Sequence, residues 1–348
     1  MLGYPAKGGS EALARAALPR FPAKGSALKI LMSFSRKRRN AGKRSFDHDY
    51  RARCIYHIVL NKNPYFPAFS RIGGSLTDRE LPPTAILSCE GEIIKSSLLR
   101  LKEIFPFVSI LRMCIMPDHL HFAIFIKERT EFHLGEIIRT FKTLCSEEYA
   151  KIGKGVNVKF FTEGYHDTYL WSKDQLQSML HYISDNPRRH LIRSGKIGWF
   201  RQFQITDGNC TFDAYGNWDL LWEYDLQTVR FSRKYTKAQL ISLKRKWLTT
   251  ILNDGVLVSP FIHENEKKVR DWGMDNDASL IYLIHSGFGE RYKPAGKLFD
   301  LCGEGRLLLV NVQPTEKDLN SEGKPSYSFC QKMNGIAERI AAGKFRLL

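Results

Sequence analysis

A chain of 348 residues, 43% hydrophobic and 12% aromatic, carries enough apolar material for two compact domains, or for one with extensions. Its 53 Lys and Arg against 36 Asp and Glu leave a net charge of +17, which favours a polyanionic partner, nucleic acid foremost. Seven scattered cysteines without a C-x-x-C pair argue against a disulfide framework or a cysteine zinc site, and no apolar run is long enough for a bilayer span or a secretory signal core, so the expected location is cytoplasmic.

Residues 1–48 form a basic segment with the composition of a flexible tail. Within it Arg36, Lys37, Arg38, Arg39, Lys43 and Arg44 are candidates for holding a DNA backbone by phosphate neutralisation, or are simply a solvated run. A domain over 49–204 follows. Arg53 to Leu60 is rich in β-branched and aromatic residues and predicts a strand. A Pro- and Gly-rich loop leads to Glu90–Ile104, whose Ile93, Ile94, Leu98, Leu101 and Ile104 read as a helical stripe, with Pro106 as the stop. Phe107–Ile115 and His119–Lys127 read as two strands of a hairpin turning at Met116-Pro117-Asp118. A second helix is expected over 134–152, and a short strand over 158–161 with irregular chain after it. A third helix over about 173–185 opens on Ser172-x-x-Gln175 and is stopped by Pro187. The first six elements match a split βαβ, ferredoxin-like antiparallel sheet of the α+β class, with the last helix added.

Two motifs within this frame carry chemistry. On a strand, His119 and His121 point to the same face, roughly 7 Å apart at their bases, where two imidazoles can converge on one metal ion while Leu120 faces the core. On a helix, Tyr182 and Asn186 are four residues apart and share a face. At the fraying end of that helix the Asn186 amide oxygen can turn towards a hard cation such as Mg²⁺ or Mn²⁺. Each motif alone has an ordinary reading: histidines satisfied by hydrogen bonds, a core tyrosine with a wet hydroxyl, and Asn-Pro as a helix stop. Together they supply an open metal site beside a phenol, which are the parts phosphoryl transfer needs.

Met116-Pro117-Asp118-His119-Leu120-His121 resembles the M-P-N-H-x-H box of single-tyrosine HUH transposases, in particular the REP-associated tyrosine transposases and related small insertion-sequence enzymes. Phe160-Phe161-Thr162-Glu163-Gly164-Tyr165-His166-Asp167 resembles the segment before their catalytic helix, and Tyr182-Ile183-x-x-Asn186-Pro187 resembles their Y-I-x-x-N-P box. The resemblance covers about residues 50–200. It implies a ferredoxin-like fold, Tyr182 as nucleophile, His119 and His121 as metal ligands and Asn186 completing the site. It also implies a divalent cofactor, Mg²⁺ or Mn²⁺, and a single-stranded DNA substrate cut through a 5′-phosphotyrosine. A hairpin-forming strand and a homodimer are within what it allows; no membrane is implied. Asp118 departs from the usual Asn, and either shapes the turn or adds a carboxylate near the metal. Arg188 and Arg189 suit a DNA backbone contact, and His166 is a candidate to assist proton loss from Tyr182.

Residues 205–254 read as a connector with a basic helix, and 255–348 as a small α/β domain and tail. Val256–Val258, Leu280–Ile284 and Leu307–Val310 are continuously apolar runs, the pattern of strands buried on both faces of a parallel sheet. Val258 to Ile262, Glu266, Arg291 to Pro294 and Gly305 to Leu308 resemble, faintly, the Rossmann-type domain of DNA-processing protein A, which implies a lid or a DNA-gripping role. Gly303-x-Gly305 lacks the spacing of a dinucleotide fingerprint. Two other functions fit the motifs less fully: a DNA-binding regulator descended from such an enzyme, and an unrelated metal-dependent hydrolase using the histidine pair.

Overall fold

The structure, a computed structural model, describes residues 48–348 apart from 79, 156, 157, 224, 233 and 291; the basic run at 36–44 and Arg291 lie outside the described residues. The chain divides into two compact units, Met1–Leu191 and Ile192–Leu348.

In the first unit, strands β1 (Cys54–Asn61), β4 (Val108–Ile115), β5 (His119–Ile126) and β6 (His166–Leu170) form an antiparallel sheet in the order β4-β5-β1-β6. Helix α1 (Cys89–Ile104) lies between β1 and β4 in the chain, and α2 (Leu134–Lys151) between β5 and β6. Strand–helix–strand–strand–helix–strand with the first and third sheet strands at the centre is the ferredoxin-like topology the sequence predicts.

Alternation along β5 explains its two faces. Leu120, Phe122, Ile124 and Ile126 point to one side and join the main core with Ile94, Leu98 and Leu101 of α1 and Ile137, Ile138 and Phe141 of α2. His119, His121, Ala123 and Phe125 therefore face the other side. Both helices begin on side-chain caps. Ser88 Oγ accepts from Gly91 N, and His133 forms a capping box with Glu136. Gly91 also packs against backbone, since a Cβ there would lie 2.1 Å from Phe69 O.

Five features differ from expectation. A small hairpin, β2 (Ser70–Gly73) with β3 (Thr84–Leu87), sits in the stretch expected to be loop. The fourth strand of the sheet is not 158–161, of which only Phe161 makes an isolated bridge to Lys62, but His166–Leu170. Its polar residues His166, Asp167 and Thr168 conceal a strand whose pairing to β1 comes from tertiary contact rather than hydrophobic pattern. Helix α3 (Lys173–Gly195) also continues through Pro187 instead of stopping there. Proline has no N–H for Ile183 O, and the Asn186 side chain supplies the substitute: Nδ2 donates to Ile183 O at 3.3 Å and to Tyr182 O at 3.0 Å. Asn186 thus lies within the helix and is buried, not at a fraying end. The other two differences lie in the second unit.

That unit is built on a seven-stranded sheet in the order β13-β7-β8-β12-β11-β10-β9. Strands β9 (Leu226–Thr228), β10 (Val256–Ser259), β11 (Ser279–Ile284) and β12 (Leu307–Asn311) are parallel, and every residue of β10 and β12 is buried. The edge beyond β12 is antiparallel, made by β8 (Thr211–Gly216), β7 (Gln202–Thr206) and β13 (Arg346–Leu347). Helices α4 (Lys237–Leu252), α5 (Glu264–Asp275) and α6 (Lys297–Gly303) supply Trp247 and Ile251, Val269, and Leu301 and Cys302 to the core on one face. Residues 205–254, read as a connector with a basic helix, do carry that helix as α4, but they also contain β8, β9 and the end of β7, strands of this sheet. The segment read as a tail carries α7 (Tyr327–Ala341), whose Phe329, Met333, Ile336 and Ile340 make the core on the other face. Gly303 and Gly305 serve packing: a Cβ on Gly303 would lie 2.4 Å from Ile192, and Gly305, at φ 77°, abuts the Trp199 ring.

Candidate active site

Register places the predicted histidines and adds a third. Across the face of the first sheet that α1 and α2 leave uncovered, one row runs Cys114, His121, Val59, His166, and the adjacent row places His57 opposite both Ala123 and Thr168. His57 and His121 are therefore diagonal neighbours on adjacent strands, a relation that brings long side chains into contact. His57 Nε2 lies 3.0 Å from His121 Nδ1, with the two rings nearly parallel at 8°. Both are buried. The His57 imidazole is driven down to about 4 by burial, so it is neutral near pH 7. The sequence reading missed His57. Its only local signal is a polar ring inside the apolar run Cys54–Leu60, and only the pairing of β1 with β5 shows what it meets.

The hairpin turn Met116–His119 is closed by Met116 N donating to His119 O at 2.8 Å. It sets His119 beside His121, ring centroids 4.6 Å apart and nearly perpendicular. Asp118 reaches back, with Oδ1 2.6 Å from His119 Nδ1. Its carboxyl is pulled down to about 2 by the hydrogen bond from His119, against the opposing effect of partial burial, with further help from the charges of His119 and His190. Asp118 therefore does more than shape the turn: it orients an imidazole.

Helix α3 lies on this same face. Leu176, Met179, Leu180 and Ile183, at spacings of three and four, pack on Ile55, Phe125 and Leu170 at one end and on Cys114, Met116 and Ala123 at the other. That seat carries Tyr182 to the histidines. Its ring stands edge-on to His121 at 5.7 Å and to His57 at 6.1 Å between centroids, and it stays 37% exposed, open enough for a substrate to reach. Arg189 sits over the Tyr182 ring, 5.5 Å from its centroid. Arg188 instead forms a two-pronged pair with Asp185, at 2.6 and 2.9 Å. Its guanidinium is already engaged within the helix. His166 shares the face but is separated from His121 by β1, and it is exposed.

His119 and His121 are residues that could serve as donors to a divalent cation. Each of the paired histidines is held at Nδ1, His119 by Asp118 and His121 by His57. With the proton on Nδ1, each ring carries its lone pair on Nε2, the arrangement in which outer hydrogen bonds orient ligating imidazoles. For His121 this requires the neutral His57 to accept through Nε2. Among the described residues no three His, Cys, Asp or Glu side chains are grouped to hold a metal. Asn186 Nδ2 is committed to helix carbonyls, which turns Oδ1 away from them.

Among the described residues no helix is long and apolar enough to cross a membrane. No protein-family model matches the chain, and no curated protein matches it. Among solved structures the chain is similar to a REP-associated tyrosine transposase bound to a REP hairpin, at 13% identity and a TM-score of 0.31 over 42% of this chain and 74% of that one. It is also similar to a protein from Deinococcus radiodurans R1 classed as a transposase, at 13% identity and a TM-score of 0.25 over 41% of this chain and 96% of that one. The ferredoxin-like assignment of the first unit rests on strand order and register, not on these likenesses.

Proposed function

We propose that the first unit cuts and rejoins single-stranded DNA as a single-tyrosine transposase, with Tyr182 as nucleophile. The observation that supports it most directly is the placement of the Tyr182 ring against His121 and His57, beside His119, on one sheet face.

In this reading His119 and His121, with the Asn186 amide oxygen, hold Mg²⁺ or Mn²⁺. When bound, that ion supplies Lewis-acid neutralisation of a non-bridging phosphate oxygen. The chain's own residues do the rest. Asp118 and His57 hold the two imidazoles in orientation. Arg189 brings positive charge to the phosphodiester beside the phenol. Tyr182 Oη attacks phosphorus in line, forming the phosphotyrosine ester to the 5′ side. The P–O3′ bond breaks, the phenol loses its proton to solvent or to a base, and the departing oxygen is protonated to a 3′-hydroxyl. Because the ester conserves the phosphodiester bond energy, a second 3′-hydroxyl reverses the step and joins strands without a nucleotide cofactor. His166 is too displaced from the row centre to be the first choice of base, and solvent at the exposed Tyr182 is the simpler acceptor.

A covalent-adduct gel tests the proposal. Wild-type protein with a labelled single strand and Mn²⁺ gives a band stable to denaturation. Tyr182→Phe binds the strand and gives none. An adduct that persists in Tyr182→Phe removes Tyr182 from the mechanism. Binding without any adduct in the wild type would favour the regulator reading, and metal-dependent cleavage without linkage would favour a hydrolase.

A further inference from the structure

The second unit contains a groove that the transposase chemistry does not use. Helices α4 and α5 lie on the same face of the parallel sheet, and their facing stripes enclose a cavity of about 460 Å³, within the roughly 300–1,000 Å³ typical of ligand pockets. From α4 come Lys244, Trp247 and Leu248, and from α5 come Lys268, Val269 and Trp272, both sets at three- and four-residue helical spacing. Phe231, just after β9, lies beneath, its ring 5.4 Å from that of Trp247.

The walls of this groove differ in kind. Trp247 is buried and fixed, its indole N–H donating to Thr228 O at 2.9 Å, so it forms a rigid floor. Trp272 is 44% exposed and Leu248 41%, an apolar rim left in water by folding. Lys244 and Lys268 are exposed on opposite helices, and among the described residues neither lies within ion-pair distance of an acid, although Lys267 and, more weakly, Lys268 hold down the Glu264 carboxyl. The neighbouring acids are already engaged, Glu264 with Lys267 and Asp271 with Arg270. A planar aromatic wall with a cation on each side is complementary to a flat, uncharged ring carrying flanking negative charges.

We propose that this groove binds an unstacked nucleobase of single-stranded nucleic acid, with the base against Trp272 and the adjoining phosphates on Lys244 and Lys268. Stacking on an aromatic face is tolerant of sequence and is denied to a paired base, so the groove selects strand state rather than sequence. The inference rests on the groove's own chemistry and stands whether or not Tyr182 is a nucleophile.

The test uses the full chain and a short fluorescein-labelled oligothymidylate, read by anisotropy. Trp272→Ala lowers affinity for the single strand about fivefold or more, while Trp272→Phe, which keeps a stacking face, retains most of it. Binding of a duplex is unchanged in both. Lys244→Gln with Lys268→Gln reduces the slope of log affinity against log salt by about 1.4, at about 0.7 per phosphate contact on a single strand. Unchanged single-strand affinity in the Trp272 and lysine variants overturns the proposal and leaves the groove to a different occupant such as a protein segment. Equal losses on single strand and duplex overturn the base-stacking role, and thymidine monophosphate binding as tightly as the oligonucleotide overturns the strand as the ligand's source. The anisotropy readout needs no covalent adduct, so failure here and failure of the tyrosine chemistry are read separately.

Discussion

His57 on β1 and His121 on β5 join ring to ring, Nε2 to Nδ1 at 3.0 Å, on the sheet face that α3 covers. They are 64 residues apart in the chain. The contact ties the orientation of one ligand candidate to a strand that holds no part of the recognised motifs.

If His57 positions His121, its loss acts through metal affinity more than through folding. His57→Ala should raise the Mn²⁺ concentration needed for half-maximal adduct formation about 10- to 100-fold, the usual cost of removing an outer partner of a ligating histidine. His57→Gln, whose amide oxygen can accept from Nδ1, should recover part of the loss. Equal activity of His57→Ala and wild type at limiting Mn²⁺ would show that the contact only packs.

Asn186 has a structural duty and a proposed ligand duty, and the two separate experimentally. Asn186→Ala leaves Ile183 O without its substitute donor and should cost about 1–3 kcal/mol in thermal or denaturant unfolding. Adding Pro187→Ala restores a backbone N–H to Ile183 O and should recover the stability. If Asn186 also serves the metal, the double variant regains stability without regaining adduct formation; full recovery of both would assign Asn186 to the helix alone.

Metal binding should be visible without DNA. Mn²⁺ at a hundredfold excess over its dissociation constant stabilises the folded first unit by about 2.7 kcal/mol, seen as a raised melting temperature. His119→Ala with His121→Ala should abolish that shift. A shift of the same size in the double variant would mean that Mn²⁺ binds elsewhere. EDTA should abolish adduct formation by the wild type.

Helix α7 supplies one whole side of the second core, so Phe329→Ala should destabilise that unit by about 3–5 kcal/mol, as large core truncations do. Hydrogen exchange should rise first in β9 and β10, the strands α7 covers. Protection unchanged in those strands would mean that the second unit holds without α7.

Local pattern made the first five of the six elements of the first unit readable. The stripe of Ile94, Leu98 and Leu101, the alternation of His119 to Ile126 and the turn at Pro117-Asp118 all depend on neighbours within a few residues. The parallel strands of the second unit were readable for the same reason, because burial on both faces leaves a run of apolar residues. What escaped depended on distant chain. The polar strand His166–Leu170 exists because β1 offers it a ladder, and α7 looks like a tail until a sheet face is there to receive it.

The motifs by themselves determined that two histidines share a strand face and that Tyr182 and Asn186 share a helix face, since side-chain direction follows from backbone period alone. Only the tertiary structure decided that these two faces meet, that His57 joins them, and that Asn186 mends the helix at Pro187. Pairing register and helix docking are set by contacts between residues far apart in sequence, and no local period encodes which distant partner a side chain will find.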